Sequence, residues 1–423
     1  MKPRVAVVGA GWAGLAAAVE LAGWADLAVY EAGRDPGGRA RCAGKDGARF
    51  DNGQHILLGA YAECLRLMRT VGVSPESALR RLPMQWLRDG GLRLRCPHLP
   101  APLHVAAGLL LARGVSWTDK WKLARALDGL RRSGYRLERD LSVEAWLAAQ
   151  GQSAALRRDF WQPLVASALN TPLPRASMRV LAAVLRDSLG AAREASDLLL
   201  PALDLSSLFP DPAWRWLGER GAALRSGERV ASVEIKDGRP QVDGTEYDAV
   251  IVAVAPYHAK DLLDEPALRE SVAAYRYCPI ATVYMRFDRS PRLPAPMMGV
   301  SGGTADWLFD REALCGEAGW LAAVISAPAA LPPAEELVHA VAADARRLAP
   351  WLGEPCQSQV IVEKRATFAS EIGLMRPDAR TAWAGVYLAG DWVHPDYPAT
   401  LEGAARSGVA AAAAVKRDLQ VEQ

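Results

Sequence analysis

The chain has 423 residues, enough for two or three domains with a large buried core. Half of the residues are apolar and 23% are charged, which excludes wholesale disorder, and a net charge of +2 argues against a nucleic-acid binder held by bulk electrostatics. The six cysteines and six histidines show no metal-ligand spacing. We therefore predict reduced thiols, no metal site and no nucleic-acid partner.

The amino terminus superficially resembles a secretion signal. Lys2 and Arg4 precede an apolar run, but glycines interrupt that run, so we expect no signal peptide. No segment offers about 18 consecutive uncharged apolar residues, so we expect no membrane-spanning helix. The sequence thus predicts a cytoplasmic protein.

The first 31 residues predict a β-α-β unit. Residues 4–8 (RVAVV) are a short β-branched run typical of a buried parallel strand. A helix is predicted from Leu15 to about Gly23, and a second strand over Leu27–Tyr30 ends at Glu31.

The turn of this unit carries the spacing G-x-G-x-x-G, which is typical of dinucleotide binding. Gly9 permits a tight turn, Gly11 leaves room for a pyrophosphate, and Gly14 lets the helix pack closely on the strand. Glu31 follows at the distance expected of a residue that accepts hydrogen bonds from ribose hydroxyls. The alternative is a glycine-rich turn in an unrelated α/β protein. The fingerprint does not distinguish NAD from FAD.

Later segments suggest that the chain leaves the first domain and returns to it twice. A hairpin is predicted over Met84–Leu87 and Leu92–Arg95, and helical patterns follow at 103–113, 117–135, 142–150, 153–162 and 176–186. Strand signals return at Val230–Ile235, Ala249–Val254 and Val386–Ala389, and a helix is predicted from about Thr400 to Arg417. We therefore predict an α/β fold with a discontinuous Rossmann-type domain (1–75, 213–262 and 365–423) and an inserted mixed α+β substrate domain (76–212 and 263–364).

The stretch Glu31-Ala-Gly-Arg-Asp-Pro-Gly37-Gly38-Arg39 resembles the extended motif of the flavin-dependent amine oxidase and phytoene desaturase superfamily. The resemblance implies FAD as the cofactor, with Arg39 approaching its phosphates. A guanidinium suits that contact because it is planar and always charged. The alternative is that Arg39 and Arg41 are solvated loop charges.

The carboxyl-terminal region resembles the same superfamily. There the resemblance implies that Asp391, after Ala389-Gly390, contacts the ribityl or pyrophosphate region of FAD. It also implies that the helix beginning near Thr400 and Leu401 directs its amino terminus at the flavin N1–C2=O edge, where a helix amino terminus stabilises negative charge. The alternative is an Ala-rich packing helix. Earlier in the chain, Gly227-Glu-Arg-Val230 resembles the segment of this superfamily that contacts the adenine of FAD.

Several stretches are similar to the squalene-associated FAD-dependent desaturases, whose characterised members are hydroxysqualene dehydroxylases. These stretches are Phe50-Asp51-Asn52-Gly53-Gln54-His55, Ala168-Leu169-Asn170-Thr171-Pro172, Leu198-Leu199-Leu200-Pro201 and Pro398-Ala399-Thr400-Leu401-Glu402-Gly403-Ala404. The resemblance implies an enzyme that replaces the hydroxyl of an allylic C30 alcohol with hydride from reduced FAD. Its partners would be an isoprenoid substrate and an unidentified electron donor. The residues expected to bind FAD are Gly9, Gly11, Trp12, Ala13, Gly14, Glu31, Gly38, Arg39, Gly53, Gln54, His55, Val230, Gly390, Asp391, Thr400 and Leu401.

Departure of the hydroxyl needs a proton donor, which the sequence does not identify. His55 is our first candidate because imidazole titrates near neutral pH. A structural histidine, or one that only contacts the cofactor, remains an alternative. Asp51 and Tyr397 are weaker candidates.

Two other segments carry competing signals. Gly299-Val-Ser301-Gly-Gly303 fits a serine-hydrolase elbow, but no helix pattern follows it, so we interpret it as a glycine-rich turn. Residues 103–139 join an apolar helix to a basic one (Lys120, Lys122, Arg125, Arg131, Arg132, Arg136 and Arg139), which suggests peripheral contact with the inner face of a membrane. The alternative is a solvated face over the core.

Two further functions stay open at this stage. One is another flavoenzyme of the fold, such as a carotenoid desaturase or an amine oxidase. The other is a non-catalytic isoprenoid carrier, in which the phosphate loop would be degraded. Gly9, Gly11, Gly14, Glu31 and Asp391 are all present here, which favours an enzyme.

Overall fold

The structure is a computed structural model that describes residues 1–45, 48–393 and 397–421. Its strands are β1 (Arg4–Val8), β2 (Asp26–Glu31), β3 (Cys42–Lys45), β4 (Ala48–Asp51), β5 (Leu57–Leu58), β6 (Leu79–Leu82), β7 (Gln85–Asp89), β8 (Arg93–Arg95), β9 (Leu198–Pro201), β10 (Ala223–Ser226), β11 (Val233–Lys236), β12 (Arg239–Val242), β13 (Thr245–Glu246), β14 (Ala249–Val252), β15 (Tyr277–Arg286), β16 (Met297–Val300), β17 (Trp307–Asp310), β18 (Trp320–Ser326), β19 (Gln357–Phe368) and β20 (Val386–Leu388).

Its helices are α1 (Trp12–Leu21), α2 (Ala62–Thr70), α3 (Pro75–Ala78), α4 (Leu103–Leu111), α5 (Trp117–Arg132), α6 (Val143–Ala149), α7 (Ala154–Leu156), α8 (Gln162–Leu169), α9 (Met178–Leu189), α10 (Leu205–Leu208), α11 (Pro210–Gly218), α12 (Pro256–Leu262), α13 (Pro266–Ala273), α14 (Arg311–Cys315), α15 (Ala334–Leu348) and α16 (Leu401–Val421). A π-helical turn spans Arg157–Trp161 and a 3-10 turn spans Arg193–Ser196. In the part of the chain described, no helix is both long and apolar enough to span a bilayer.

A five-stranded parallel sheet contains both ends of the chain. Its order is β10-β2-β1-β14-β20, and every neighbouring pair is parallel. In the central strand β1, Val5 and Val7 pack against α1 and α16, whereas Ala6 and Val8 pack on the other face with α12, α13 and the small sheet β11-β12-β13. Both faces are therefore covered, as a continuous β-branched run predicts. The predicted α/β class is confirmed.

The first helix packs against the last one through very small residues. A Cβ atom built on Gly14 would lie 1.9 Å from the carbonyl oxygen of Gly9, and one built on Gly408 would lie 2.1 Å from that of Ala13. Any side chain at these positions would collide with backbone. Gly14 thus lets α1 lie close to the sheet at Gly9 and Ala253, and Gly408 lets α16 lie close to α1, so that both helices share one core with the sheet.

A seven-stranded sheet forms the second layer of the molecule, in the order β19-β15-β18-β17-β16-β7-β8. Its neighbours are antiparallel except for the parallel pair β16 and β7. One face, which includes Ala281 and Val283, packs on α15. The opposite face carries Tyr284, Trp307 and Phe309. The predicted hairpin is present as β7 and β8, with Gln85 paired to Arg95.

The helical region contains one clear departure from the sequence prediction. The helix predicted over 153–162 continues to Leu169 although Pro163 lies inside it. A proline lacks the N–H that would bond to the carbonyl four residues earlier. Here that carbonyl, of Asp159, accepts the indole N–H of Trp86 at 2.8 Å, and the π-helical turn accommodates the ring.

Smaller differences concern the ends of elements. The helix predicted from Leu15 begins at Trp12, and the strand predicted over Val230–Ile235 begins only at Val233.

The Ser301 turn joins β16 to β17, and a strand rather than a helix follows it, so the interpretation as a glycine-rich turn is confirmed. None of the six cysteines, all of which lie in the described part of the chain, forms a disulfide. The strands of the parallel sheet fall within the three stretches predicted for the first domain, and the domain boundaries themselves stay a prediction.

Candidate active site

A cleft of about 850 Å³ lies between the two large sheets. On one side it is lined by residues at the carboxyl ends of the parallel strands, namely Gly9, Glu31, Ala253, Gly390 and Asp391. Open parallel sheets bind their ligands at this edge. On the other side, the wall is the second face of the seven-stranded sheet, part of which packs on Leu200. This wall is mostly apolar and is formed by Ile280, Trp307, Phe309, Val324 and Ile361.

The glycine-rich turn forms one end of the cleft. Gly9 has a φ of 105°, which favours glycine, and Gly11 caps the amino terminus of α1. A Cβ atom built on Gly11 would meet only the Cα of Gly38, at 3.9 Å, among the described residues within 4 Å. The space beside Gly11 is thus open toward the cleft, as binding of a pyrophosphate requires. Trp12 and Ala13 also line the cleft, whereas Gly14 serves helix packing.

The carboxylate of Glu31 is held by backbone. One oxygen accepts the N–H of Ala10 at 2.9 Å and the other accepts the N–H of Gly33 at 2.8 Å. Each oxygen keeps a further lone pair, so the carboxylate can still accept hydrogen bonds from ribose hydroxyls. Val230 lines the same part of the cleft.

Arg39 and Asp391 form an ion pair at the wall of the cleft. Arg39 donates from Nη2 to Asp391 at 2.7 Å and from Nη1 to the carbonyl oxygen of Ala366 at 2.8 Å. Burial is the largest single influence and disfavours the charged guanidinium, but the charge and the hydrogen bond of Asp391, together with the nearby Tyr257 and Glu363, outweigh it and raise the pKa of Arg39. Arg39 is therefore not a solvated loop charge, which answers that alternative. Gly38, on the preceding turn, also lines the cleft.

The segment Gly53–His55 lines the middle of the cleft. Nδ1 of His55 lies 3.1 Å from the carbonyl oxygen of Gly53, and because a carbonyl only accepts, we assign the proton to Nδ1. Burial lowers the pKa of His55, and the nearby charge of Arg39 acts in the same direction. The imidazole is therefore neutral at pH 7, with Nε2 as an acceptor. Gln54 accepts a bond from Arg311 at 3.0 Å.

The other two proton-donor candidates lie away from the cleft, and neither is among the described residues that line it. Asp51 is buried and accepts the backbone N–H of Leu205 at 2.8 Å, and burial raises its pKa to about 6. Tyr397 is buried with the guanidinium of Arg406 over its ring at 4.4 Å, and burial raises its pKa. Of the three candidates, the geometry favours His55.

The amino terminus of α16 reaches the cleft at Thr400 and Leu401. Thr400 accepts the N–H of Gly403 at 3.1 Å and so caps the helix. Glu402 has a different task. It is fully buried and accepts the N–H of Cys64 at 3.0 Å and the Nε–H of Arg406 at 2.8 Å, so it ties α16 to the start of α2.

The sequence prediction missed several polar residues in the cleft, namely Asn170, Thr282, Glu363 and Thr367. Asn170 belongs to one of the stretches that resemble the squalene-associated desaturases, but that resemblance did not indicate a role for this residue. Thr282, Glu363 and Thr367 lie on β15 and β19 and carried no signal, because their place depends on which strands pair.

The fold and the cleft define a class of flavoprotein. Residues 12–416 match the family of flavin containing amine oxidoreductases, and the chain belongs to that family. It is an FAD-dependent oxidoreductase, which excludes the non-catalytic carrier. A redesigned putrescine oxidase of known structure shares the fold, with a TM-score of 0.74 at 19% identity, covering 98% of this chain and 99% of that one.

Within this class the chain belongs to the hydroxysqualene dehydroxylase family. It is 31% identical to the hydroxysqualene dehydroxylase of Sinorhizobium fredii, covering 97% of this chain and 98% of that protein. It is 25% identical to a probable zeta-carotene desaturase of Synechococcus elongatus, covering 97% of this chain and 98% of that protein. The resemblance stated from the sequence is confirmed.

Proposed function

We propose that this enzyme reduces hydroxysqualene to squalene. The observation that carries the proposal is a single cleft that joins a dinucleotide-binding edge to a largely apolar wall. The side chains of Trp307, Phe309 and Val324 line the cleft and belong to a packed apolar cluster, so this wall suits a C30 hydrocarbon chain. The similarity to hydroxysqualene dehydroxylases supports hydroxysqualene as the alcohol that is reduced.

The reaction balances as a two-electron reduction. When bound, reduced FAD supplies hydride. The allylic carbon–oxygen bond breaks, the carbon gains that hydride, and the oxygen takes up a proton and leaves as water. Each turnover therefore consumes one proton and one reduced flavin, so a separate two-electron donor must reduce the flavin again.

The chain's own residues bind the cofactor and handle the proton. We assign the pyrophosphate to the amino terminus of α1 at Gly11, the ribose hydroxyls to Glu31, and the flavin edge to the amino terminus of α16 at Thr400. We assign proton delivery to His55, whose lowered pKa makes it a stronger acid than ordinary histidine but a scarcer one at neutral pH.

The decisive experiment is anaerobic. Protein reconstituted with FAD is photoreduced and mixed with hydroxysqualene, and the lipid extract is analysed for squalene while the flavin spectrum is recorded. We expect one squalene per reoxidised flavin. Reoxidised flavin without squalene would refute the dehydroxylase activity and leave the flavoenzyme intact.

The zeta-carotene desaturase similarity supplies a second candidate that the same preparation can test. Desaturation is an oxidation, so the oxidised enzyme is incubated with zeta-carotene and the flavin is followed. Under the dehydroxylase proposal the flavin stays oxidised. Bleaching of the flavin with formation of a longer polyene would favour the desaturase.

We further propose that α4 and α5 contact the surface of an anionic bilayer, where an isoprenoid substrate would dissolve. Large apolar side chains are exposed along these helices, with Leu110 60% exposed, Leu111 72%, Trp117 69% and Trp121 63%. Soluble proteins seldom leave such a cluster in water. Lys120 donates to the carbonyl oxygen of Leu110 at 2.7 Å, which holds the two helices together.

Positive charge accompanies this apolar surface. The ammonium of Lys120 lies 4.3 Å from the ring of Trp117, and the guanidinium of Arg125 lies 5.5 Å from that of Trp121. Cations beside exposed tryptophans fit the headgroup region of an anionic bilayer. Arg131 and Arg132 contribute less than the sequence suggested, because both pair with Asp128.

Flotation with phosphatidylglycerol vesicles tests this contact. The double variant Trp117→Ser and Trp121→Ser should lose most of its vesicle binding at low salt. Trp351→Ser, which changes an exposed tryptophan in the turn after α15, should bind like the parent protein. Parent protein that does not bind the vesicles would overturn the proposed lipid contact. A double variant that changes only the oligomeric state would also overturn it, because the surface would then join two copies of the protein.

A further inference from the structure

A hydrogen-bonding pair lies in the cleft beyond the residues assigned so far. Asn170 ends helix α8 in a left-handed conformation, with φ 44°, and is only 3% exposed. Thr367 lies on β19, and both residues line the cleft. Their side chains are bonded to each other, with Nδ2 of Asn170 donating to Oγ1 of Thr367 at 3.0 Å.

The surroundings fix which way the Asn170 amide faces. Besides Thr367, Nδ2 lies 3.2 Å from the carbonyl oxygen of Cys278 and 3.4 Å from that of Pro279. A flipped amide would bring its own oxygen against these two acceptors, so the assignment of nitrogen is secure. Oδ1 of Asn170 is buried and has no partner among the described residues. A buried acceptor left in that state is costly unless something in the cleft donates to it.

Thr367 supplies the complementary group. Its oxygen accepts the bond from Asn170, and its hydroxyl proton has no acceptor among the residues that the structure describes, so the proton remains to be donated. The pair therefore offers one acceptor and one donor side by side at the wall of an otherwise largely apolar cleft. An alcohol needs both, because its O–H donates while its oxygen accepts. A hydrocarbon can satisfy neither.

We propose that Asn170 and Thr367 bind the hydroxyl of the substrate, with the alcohol donating to Oδ1 of Asn170 and accepting from the hydroxyl of Thr367. This inference rests on the proposed function and names the residues that select the alcohol over its product. Once the hydroxyl has left as water, the hydrocarbon leaves both groups unsatisfied. The pair thus favours exchange of product for substrate.

The test is a binding preference measured without turnover. The oxidised, FAD-loaded enzyme is titrated with hydroxysqualene and with squalene in the same detergent, and perturbation of the flavin absorbance gives the two dissociation constants. Each ligand has the same carbon chain, so their ratio reports the hydroxyl alone. Variants are Thr367→Val, which keeps the β-branched shape, and Asn170→Gly, which suits a left-handed residue. The control is Thr245→Val, on the exposed strand β13.

The parent protein should prefer hydroxysqualene, and each variant should lower that preference by roughly five- to tenfold, the loss of about one neutral hydrogen bond. Thr245→Val should keep the parent ratio. Equal weakening of both ligands would overturn the proposal, because the pair would then only shape the wall. A changed FAD affinity with an unchanged ratio would also overturn it, since the pair would then serve the cofactor.

Failure of this inference is distinguishable from failure of the proposed function. The anaerobic assay of the parent protein tests whether the enzyme makes squalene. If it does so while the variants keep the parent binding ratio, only the assignment of Asn170 and Thr367 is overturned. Bound FAD and the melting temperature of each variant show whether it is folded.

Discussion

Nη2 of Arg39 lies 2.7 Å from Oδ1 of Asp391, although 352 residues separate them in the chain. The two residues belong to separate stretches, each of which resembles a cofactor-binding motif. The fold brings them together as one ion pair. Each neutralises the other in a largely buried position, so the loss of either leaves an uncompensated charge in the cleft.

The first prediction follows from that pair. Arg39→Ala and Asp391→Ala should each weaken FAD binding by at least about tenfold, and the double variant should lose less than the product of the two because the pair acts together. Titration of apoprotein by flavin fluorescence measures the effect. Arg380→Ala disrupts an exposed ion pair with Asp418, also at 2.7 Å, and should leave FAD binding unchanged. Independent effects in the double variant would contradict the coupling.

The glycines of the first turn should separate cofactor binding from folding. Gly11→Ala adds a methyl group to open space beside the cleft, so the apoprotein should stay folded while FAD binding falls. Gly14→Ala would place a methyl group 1.9 Å from the carbonyl oxygen of Gly9, so it should destabilise the fold by roughly 2 kcal/mol or more, through overpacking. Melting temperature and bound flavin, measured on both variants, check the contrast. A Gly11→Ala protein that retains FAD like the parent would refute the assignment of Gly11.

Asp51 should make stability depend on pH. Burial raises its pKa from 3.8 to about 6, so the folded state holds a proton that the unfolded chain releases. Its contribution is therefore present below about pH 4 and is lost as the pH rises through 6, at a cost of about 3 kcal/mol. Asn at this position keeps an acceptor for the N–H of Leu205 and does not ionise. Asp51→Asn should therefore raise the free energy of unfolding at pH 8 but not at pH 4, as denaturant titration would show. An equal effect at both pH values would exclude this cause.

Glu402 should prove structural. Glu402→Ala should cost roughly 2 kcal/mol of stability, because it leaves the buried N–H of Cys64 without its acceptor and unties α16 from α2, whereas Arg406 keeps its pair with Asp187. The folded fraction should still bind FAD with nearly parental affinity. Glu63→Ala, on the exposed side of α2, is the matched control and should change stability little. Loss of FAD binding with full stability would place Glu402 in the cofactor site instead.

His55 should impose an acid requirement on flavin reoxidation. The pKa of His55 is lower than the ordinary value of 6.5. The protonated imidazole is therefore already scarce at neutral pH and becomes scarcer as the pH rises. The rate of reoxidation by hydroxysqualene should therefore fall from pH 5 to pH 8, and His55→Gln should abolish that dependence. His339→Gln, on the surface, should keep it. Stopped-flow absorbance under anaerobic conditions measures these rates, and a parental profile in His55→Gln would remove His55 as the proton donor.

Local pattern predicted the parts of the fold that depend on neighbouring residues. The first β-α-β unit, the β7–β8 hairpin and most of the helices are where the sequence places them, because periodicity and turn glycines act over a few residues. The helix through Pro163 was mispredicted because the group that satisfies its freed carbonyl is Trp86, which is 73 residues before Asp159 in the chain. No local signal contains that partner.

The sequence alone indicated a dinucleotide cofactor, because Gly9, Gly11, Gly14 and Glu31 lie within one short unit whose geometry is set by the backbone. Only the tertiary structure decided which residues lie across the cleft from that unit. The apolar wall, the pairing of Arg39 with Asp391, and the meeting of Asn170 with Thr367 each depend on strands and helices far apart in the chain. Such contacts are fixed by sheet order and packing, which no window of sequence contains.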